Sequence, residues 1–121
     1  MEENLKRIEE LKTFMGGDNE DVPVFPKAIE DMKYIVKQCE EYSLPQPDIF
    51  PWAGGNGVQA QWETDWYIEI DSSSTGVEGF VVKGKEYDKA TDIKFKDVEN
   101  AFFVIKDFII KYIVNSNEGR R

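Results

Sequence analysis

Four acidic residues stand close together in the middle of the chain. They are Glu63, Asp65, Glu69 and Asp71, all within nine residues. No basic residue occurs between Glu63 and Glu78. Carboxylates in such a cluster can act as an acid/base pair in catalysis, or they can present negative charge to a Lys/Arg-rich partner. The cluster therefore poses a choice between an enzyme and a binding protein.

The catalytic interpretation lacks most of what it requires. A glycosidase-type pair needs facing carboxylates in a cleft, with the pKa of one raised by burial, and an exposed sheet face supplies neither. The chain has no histidine, which removes Ser/His/Asp and Cys/His nucleophile systems and ordinary zinc sites. No phosphate or nucleophile motif is recognisable. We predict no enzymatic activity, no catalytic residue, no metal and no cofactor.

Two other segments resemble ligand-binding loops only superficially. Residues 18–21 form an acidic run without the alternating ligands, central glycine and distal glutamate of an EF-hand loop. Residues 54–57 are glycine-rich but precede a predicted strand, whereas a phosphate-binding loop leads into a helix. The first is interpreted as a plain acidic loop and the second as a turn between strands.

The composition limits the partners. The chain has 24 acidic and 15 basic residues, a net charge of −9. This charge disfavours nucleic acids and anionic membranes by repulsion and favours a basic protein partner. The single cysteine excludes an internal disulfide, and the polar N-terminal segment is unlike a signal peptide. We predict a soluble cytoplasmic protein that binds neither membranes nor nucleic acid directly.

The cluster lies on a predicted β-hairpin, because apolar and polar residues alternate over 58–62 and 66–71. Pairing Trp62 with Trp66 would make the turn Glu63, Thr64 and Asp65. The apolar residues Val58, Ala60, Trp62, Trp66, Ile68 and Ile70 would then share one face. The opposite, solvent-facing side would carry Gln59, Gln61, Tyr67, Glu69 and Asp71.

Apolar spacing and alternation predict the other elements. Helices are expected over residues 2–15, from Pro26 to near Tyr42, and from an Asp97 cap to Tyr112. Strands are expected at 48–52 and 77–83, while 93–95 is open between a fifth strand and the lead into the last helix. The inward face of 77–83 is open between Val77/Val81 and Phe80/Val82. Cys39 is predicted to be buried on the second helix and unreactive.

These elements predict a single α+β domain over residues 1–121. It would have two N-terminal helices, an antiparallel sheet of three to five strands, and a C-terminal helix packed on one sheet face. Phe103, Val104, Ile110 and Ile113 widen the apolar surface of that last helix beyond one stripe. The helix is therefore either buried on most sides or part of an interface. A homodimer through this helix or through a sheet edge is left open.

The segments 44–49, 54–58, 61–63 and 67–71 share a pattern with other chains. The pattern is L-P-x-P, G-G-V, E-W-E and Y-L-E-I-E after a helix with proline entry, and this chain departs from it at Gln61. Over residues 25 to 82 the chain thereby resembles a group of small uncharacterised proteins from bacteria and their phages. The resemblance implies an accessory protein, a setting in which acidic antitoxins and inhibitors of host defence are common. It transfers no catalytic residue.

The charge and the resemblance together predict a non-enzymatic, acidic protein-binding module. The preferred prediction is an inhibitor of a bacterial defence or nucleic-acid-handling protein, similar in action to an anti-CRISPR. Its predicted partner-binding residues are Glu63, Asp65, Tyr67, Glu69 and Asp71. One alternative is an antitoxin that neutralises a basic toxin. Another is a binder of a small ligand such as a signalling nucleotide, stacked on Trp52, Trp62, Trp66 or Tyr67 if these are exposed.

Overall fold

The computed structural model describes residues 1–11, 24–52, 56–84 and 86–115. The predicted α+β fold is confirmed, with two N-terminal helices, an antiparallel sheet and a C-terminal helix. Residues 12–15 of the first predicted helix, the acidic run 18–21, Gly54 and Gly55, and the end of the tail lie outside the described residues.

In chain order the elements are α1 (Glu2–Leu11), α2 (Pro26–Glu41), β1 (Asp48–Trp52), β2 (Gly57–Glu63), β3 (Trp66–Ser73), β4 (Gly76–Lys83), a 3-10 turn (Tyr87–Lys89), β5 (Ile93–Phe95), α3 (Val98–Phe108) and a π-helix (Ile109–Val114).

The five strands form one sheet in the order β1-β2-β3-β4-β5, and every neighbouring pair is antiparallel. Each of the inner strands therefore pairs with the strand before it and the strand after it in the chain, and β1 and β5 are the edges. The segment 93–95, which the sequence left open, is the fifth strand and pairs with Val77–Gly79. This order makes β3 the central strand, with two strands on either side.

The predicted register of the hairpin is wrong by two residues. Trp62 lies opposite Ile68 rather than Trp66, and Ala60 lies opposite Ile70. Because side chains alternate with a period of two, this shift leaves the same residues on each face. The predicted assignment of the strand residues to the two sheet faces is therefore correct despite the error in register. The predicted Trp62–Trp66 pair does not exist.

The register moves because Trp66 has other contacts. The Thr64 amide donates a hydrogen bond to the Trp66 carbonyl at 2.8 Å, which leaves Asp65 at the tip of the hairpin. Trp66 pairs with Lys83 of β4, and its ring stacks on Tyr112 of the π-helix with centroids 3.7 Å apart. A tertiary contact with the last helix thus decides which residues close the turn.

The core lies between α2, α3 and the inner face of the sheet. Trp62 is 3% exposed, and its indole Nε1 donates a hydrogen bond to the Pro45 carbonyl at 2.9 Å. Val77 and Val81 are the inward residues of β4, which resolves the choice left by the sequence. Other core residues are Met32, Ile35, Val36, Val58, Ala60, Ile68, Ile70, Ala101, Phe102, Ile105 and Ile109.

Polar contacts hold the helices in place around this core. Ser72 of β3 donates a hydrogen bond from Oγ to Oδ2 of buried Asp31 on α2 at 2.7 Å, and Lys27 Nζ lies 3.2 Å from Asp31 Oδ1. The buried carboxylate is thereby both hydrogen-bonded and paired with a cation. At the start of α3, Asp97 caps the helix as predicted and accepts a hydrogen bond from the Asn100 amide at 2.8 Å.

Cys39 lies on the buried side of α2, as predicted, with no exposed surface. Burial raises the pKa of its thiol to about 12. The nucleophilic thiolate is therefore scarce at neutral pH. This environment is that of a packing residue, and the lack of reactivity stays a prediction.

Candidate protein-binding face

The predicted site residues lie on the sheet face turned away from α2 and α3, which we call the outer face. Strand pairing fixes its membership, because residues opposite one another on neighbouring strands point to the same side. From β1 to β5 its side chains are Asp48, Phe50, Trp52, Gln59, Gln61, Glu63, Tyr67, Glu69, Asp71, Glu78, Phe80, Val82 and Lys94.

The five predicted partner-binding residues divide into two groups. Glu63 and Asp65 are exposed at the end of the hairpin. Tyr67, Glu69 and Asp71 are buried, with exposures of 6%, 8% and 3%. The expectation of a solvent-facing surface is therefore wrong for these three residues. They belong to the central strand, where side chains from β2 and β4 flank them on both sides, and the sequence could not show which strand was central.

The buried residues of the outer face form a hydrogen-bonded network. Gln61 Nε2 donates to Gln59 Oε1, and Gln59 Nε2 donates to Asp71 Oδ1 at 3.1 Å. The Tyr67 hydroxyl donates to Glu69 Oε1 at 2.5 Å. A hydrogen bond between Glu69 and Asp71 joins the two halves. The carboxyl pair is thus held from both sides by neutral polar groups.

The two carboxyl groups cannot both be ionised at low cost. Burial is the largest of the effects that raise the pKa of Asp71 to about 9. The hydrogen bond to Glu69 and the negative charges of Glu69 and Glu78 raise it further, while the hydrogen bond from Gln59 lowers it. At neutral pH Asp71 is therefore protonated and donates to Glu69. Asp71 thus adds no negative charge to the face at neutral pH, contrary to what the sequence suggested.

A buried carboxyl pair with one raised pKa meets part of the requirement for acid/base catalysis, contrary to the sequence expectation. Other features of the pair oppose that role. Gln59 and Tyr67 already occupy acceptor positions on the two carboxyl groups. Both carboxyl groups are less than a tenth exposed, so a substrate could not approach them without rearrangement of the face. The arrangement favours holding a proton and fixing the surface above it.

The accessible part of the outer face has an acidic rim at its hairpin end, beside aromatic side chains, and exposed Lys94 lies at the opposite edge on β5. Asp48 and Glu63 are exposed, and Asp65 is exposed at the adjoining tip. Phe50 is an exposed aromatic on β1, and Phe80 is half-buried on β4. Negative charge beside partly exposed aromatic rings is a surface that basic proteins bind, since it joins electrostatic attraction to apolar contact.

Asp48, Phe50 and Phe80 were missed as site residues by the sequence analysis. Asp48 and Phe50 alternate with buried Ile49 along β1, which is the pattern of a two-sided strand. That signal alone did not reveal their neighbours. Only the pairing of Asp48 with Gln61 and of Phe50 with Gln59 places them beside the hairpin.

The aromatic residues considered for base stacking are mostly engaged. Trp62 belongs to the core, and Tyr67 lies under the outer face with its ring 5.6 Å from that of Phe80. One ring face of Trp66 is covered by Tyr112. Trp52 is half-buried at the sheet edge. A nucleotide would therefore have to displace Tyr112 to use that side of Trp66.

The fold and the face define an α+β protein with a five-stranded antiparallel sheet, helices on one side and an acidic, aromatic surface on the other. No family model, curated protein or solved structure matches the chain. Among the described residues, no three His, Cys, Asp or Glu side chains converge as a metal site requires. Over the same residues, no helix has the length and apolar character needed to cross a bilayer.

Proposed function

We propose that the chain is a non-enzymatic binding module whose outer face and hairpin tip contact a Lys/Arg-rich protein. The supporting observation is the position of Asp48, Glu63 and Asp65, which are exposed at the hairpin end of the face that also carries partly accessible aromatic rings. Charges on a pre-organised sheet lose little conformational entropy on binding. The net charge of −9 adds long-range attraction that accelerates association with a basic partner.

The five predicted partner-binding residues would then have different tasks. Glu63 and Asp65 contact the partner directly. Tyr67, Glu69 and Asp71 lie beneath the surface, where their hydrogen bonds fix the side chains around them. This division supports a binding function because the network stabilises the face without exposing a reactive group.

The proposed partner is a cytoplasmic bacterial protein that handles nucleic acid, above all a defence nuclease. Such proteins carry basic grooves for the phosphate backbone, and an acidic, rigid surface can occupy the groove in its place. The resemblance to small bacterial and phage proteins over residues 25 to 82 is consistent with this role. Neutralisation of a basic toxin by an antitoxin would use the same contact.

The proposal is tested with two double variants that change the net charge equally. The test variant is Glu63→Lys with Asp65→Lys at the hairpin tip. The control is Glu30→Lys with Glu41→Lys, two exposed positions on α2 on the other side of the sheet. A basic partner is recovered from bacterial lysate with the unaltered chain, and its binding kinetics are then measured at low and high salt.

Association of the tip variant should slow by about tenfold or more at low salt and lose most of its salt dependence. The control should slow much less, because it alters total charge but not the contact. Melting temperatures of both variants should stay near that of the unaltered chain, since surface substitutions usually change stability by less than about 0.5 kcal/mol. Equal slowing of association in the two variants would mean that net charge alone causes the effect. Unchanged binding of the tip variant would mean that the interface lies elsewhere.

A further inference from the structure

The surface of α3 that points away from the core carries large apolar residues. The residues on this outward side are Glu99, Phe103, Lys106 and Asp107 of α3 and Ile110 at the start of the π-helix that continues it, and we call this set the α3 ridge. Phe103 is 67% exposed and Ile110 is 43% exposed. They are seven residues apart and so lie on the same side of the helix. Exposed apolar residues aligned along a helix favour contact with another surface.

Two charged residues of the ridge, Lys106 and Asp107, lie between its two apolar residues, and Glu99 precedes them. Lys106 Nζ is 5.3 Å from the ring centroid of Phe103 and 5.4 Å from that of Tyr42, another exposed aromatic. Asp107 follows directly and is exposed. From Phe103 to Ile110, the side chains of the ridge are therefore apolar, positive, negative and apolar in that order. Its central charges sum to zero, unlike the acidic rim of the outer face.

This order of side chains is complementary to the ridge of a second copy of the chain related by a two-fold axis. In an antiparallel pair of helices related by a two-fold axis, if one residue contacts a second, the second contacts the first in return. An axis between Lys106 and Asp107 places Lys106 against Asp107 of the second copy. The same axis places Phe103 against Ile110 of the second copy. Both the charges and the apolar side chains are then matched.

We propose that the α3 ridge is a homodimer interface in which two copies of this chain pack α3 antiparallel. A second copy fits better than a strongly basic partner because Lys106 lies at the centre of the ridge. The ridge lies on the helix side of the sheet, so the dimer leaves both outer faces accessible. Two copies would thus offer two acidic faces to a partner with repeated basic sites.

Sedimentation velocity over a range of protein concentrations tests the apolar part of the interface. Phe103→Glu should weaken self-association by about tenfold or more, because a desolvated carboxylate would meet Ile110 of the second copy. Phe50→Glu is the control, since Phe50 is an exposed aromatic on the outer face. It should leave the dimer unchanged. Loss of self-association in Phe50→Glu but not in Phe103→Glu would overturn the proposal.

A charge exchange tests the two-fold register. Lys106→Glu and Asp107→Lys each bring like charges together twice in one dimer, and each should weaken self-association by about fivefold. The double variant restores opposite charges and should recover an affinity near that of the unaltered chain. A double variant no better than the single ones would overturn the register. An unaltered chain that stays monomeric at about 500 μM would overturn the dimer itself. Its dissociation constant would then be weaker than that of ordinary specific association.

Discussion

A carboxyl group on a sheet face keeps or loses its charge according to the strand that carries it. Glu63 at the end of β2 is exposed, whereas Asp71 in the middle of β3 is enclosed by neighbours on both sides. The sequence predicted Glu63 in the turn and Asp71 on the solvent-facing side of the hairpin, whereas the structure places both on the outer face. The sequence could not predict the raised pKa of Asp71, because that depends on the strand order and on the hydrogen bonds with Gln59 and Glu69.

Asp71→Asn should raise the free energy of unfolding at pH 8. In the folded protein the raised pKa of Asp71 keeps the proton bound, while the unfolded chain releases it above about pH 4. The contribution of Asp71 to stability is therefore complete below that pH and is lost as pH rises towards about 9. An asparagine imitates the protonated group at every pH, so we expect a gain of about 1 kcal/mol or more at pH 8.

Chemical denaturation at pH 5 and pH 8 measures this effect. The stability of the unaltered chain should fall more steeply between the two values than that of Asp71→Asn. Glu63→Gln is the control, because it removes an exposed carboxyl group from the same face. Loss of stability in Asp71→Asn at pH 8 would mean that the folded protein needs the ionised form.

At the scale of elements, the helices and strands were predictable from their periodicity, and their contacts were not. The hairpin was predicted in the right place with the right faces. Its register was wrong because Trp66 stacks on Tyr112, and the Thr64 hydroxyl donates to the Tyr112 carbonyl at 3.0 Å. These contacts join residues almost fifty positions apart. Local alternation contains no information about them.

Trp62→Ala should nearly unfold the protein. Trp62 is buried against the helices, and truncation of a buried tryptophan costs about 3 to 5 kcal/mol, a large share of the stability of a small domain. Trp62→Phe should cost less, because it keeps most of the packing and removes the hydrogen bond to Pro45. Thermal unfolding followed by circular dichroism compares the two. Equal melting temperatures for Trp62→Ala and the unaltered chain would contradict the burial of this side chain.

At the scale of the molecule, the sequence predicted the fold class well and the charge distribution poorly. The helix–sheet order was evident from the sequence because each element has its own periodicity. The net charge of −9 was equally evident. Its placement was not, since it required knowing that Asp48 lies beside the hairpin and that burial raises the pKa of Asp71. The residues of the candidate face could thus be grouped only once the order of the strands was known.

Excess negative charge should make the folded protein more stable in salt. Self-repulsion destabilises a compact chain of high net charge, and salt at about 0.5 M screens exposed charges beyond a few ångströms. We expect the melting temperature to rise by a few degrees between about 0.02 and 0.5 M sodium chloride. The Glu30→Lys/Glu41→Lys variant should show a smaller rise, because its net negative charge is lower. A fall in melting temperature with salt would indicate that attractive ion pairs dominate.

The order of elements along the chain has a consequence for synthesis on the ribosome. A sheet in which every strand pairs with its chain neighbour can form progressively as the polypeptide emerges, with α2 already available to cover part of its inner face. The helix that covers the rest, α3, emerges after the last strand. Until then Ile68 and Trp62 on the inner face of the nascent sheet are incompletely covered, so this interval is the one in which the chain exposes the most apolar surface.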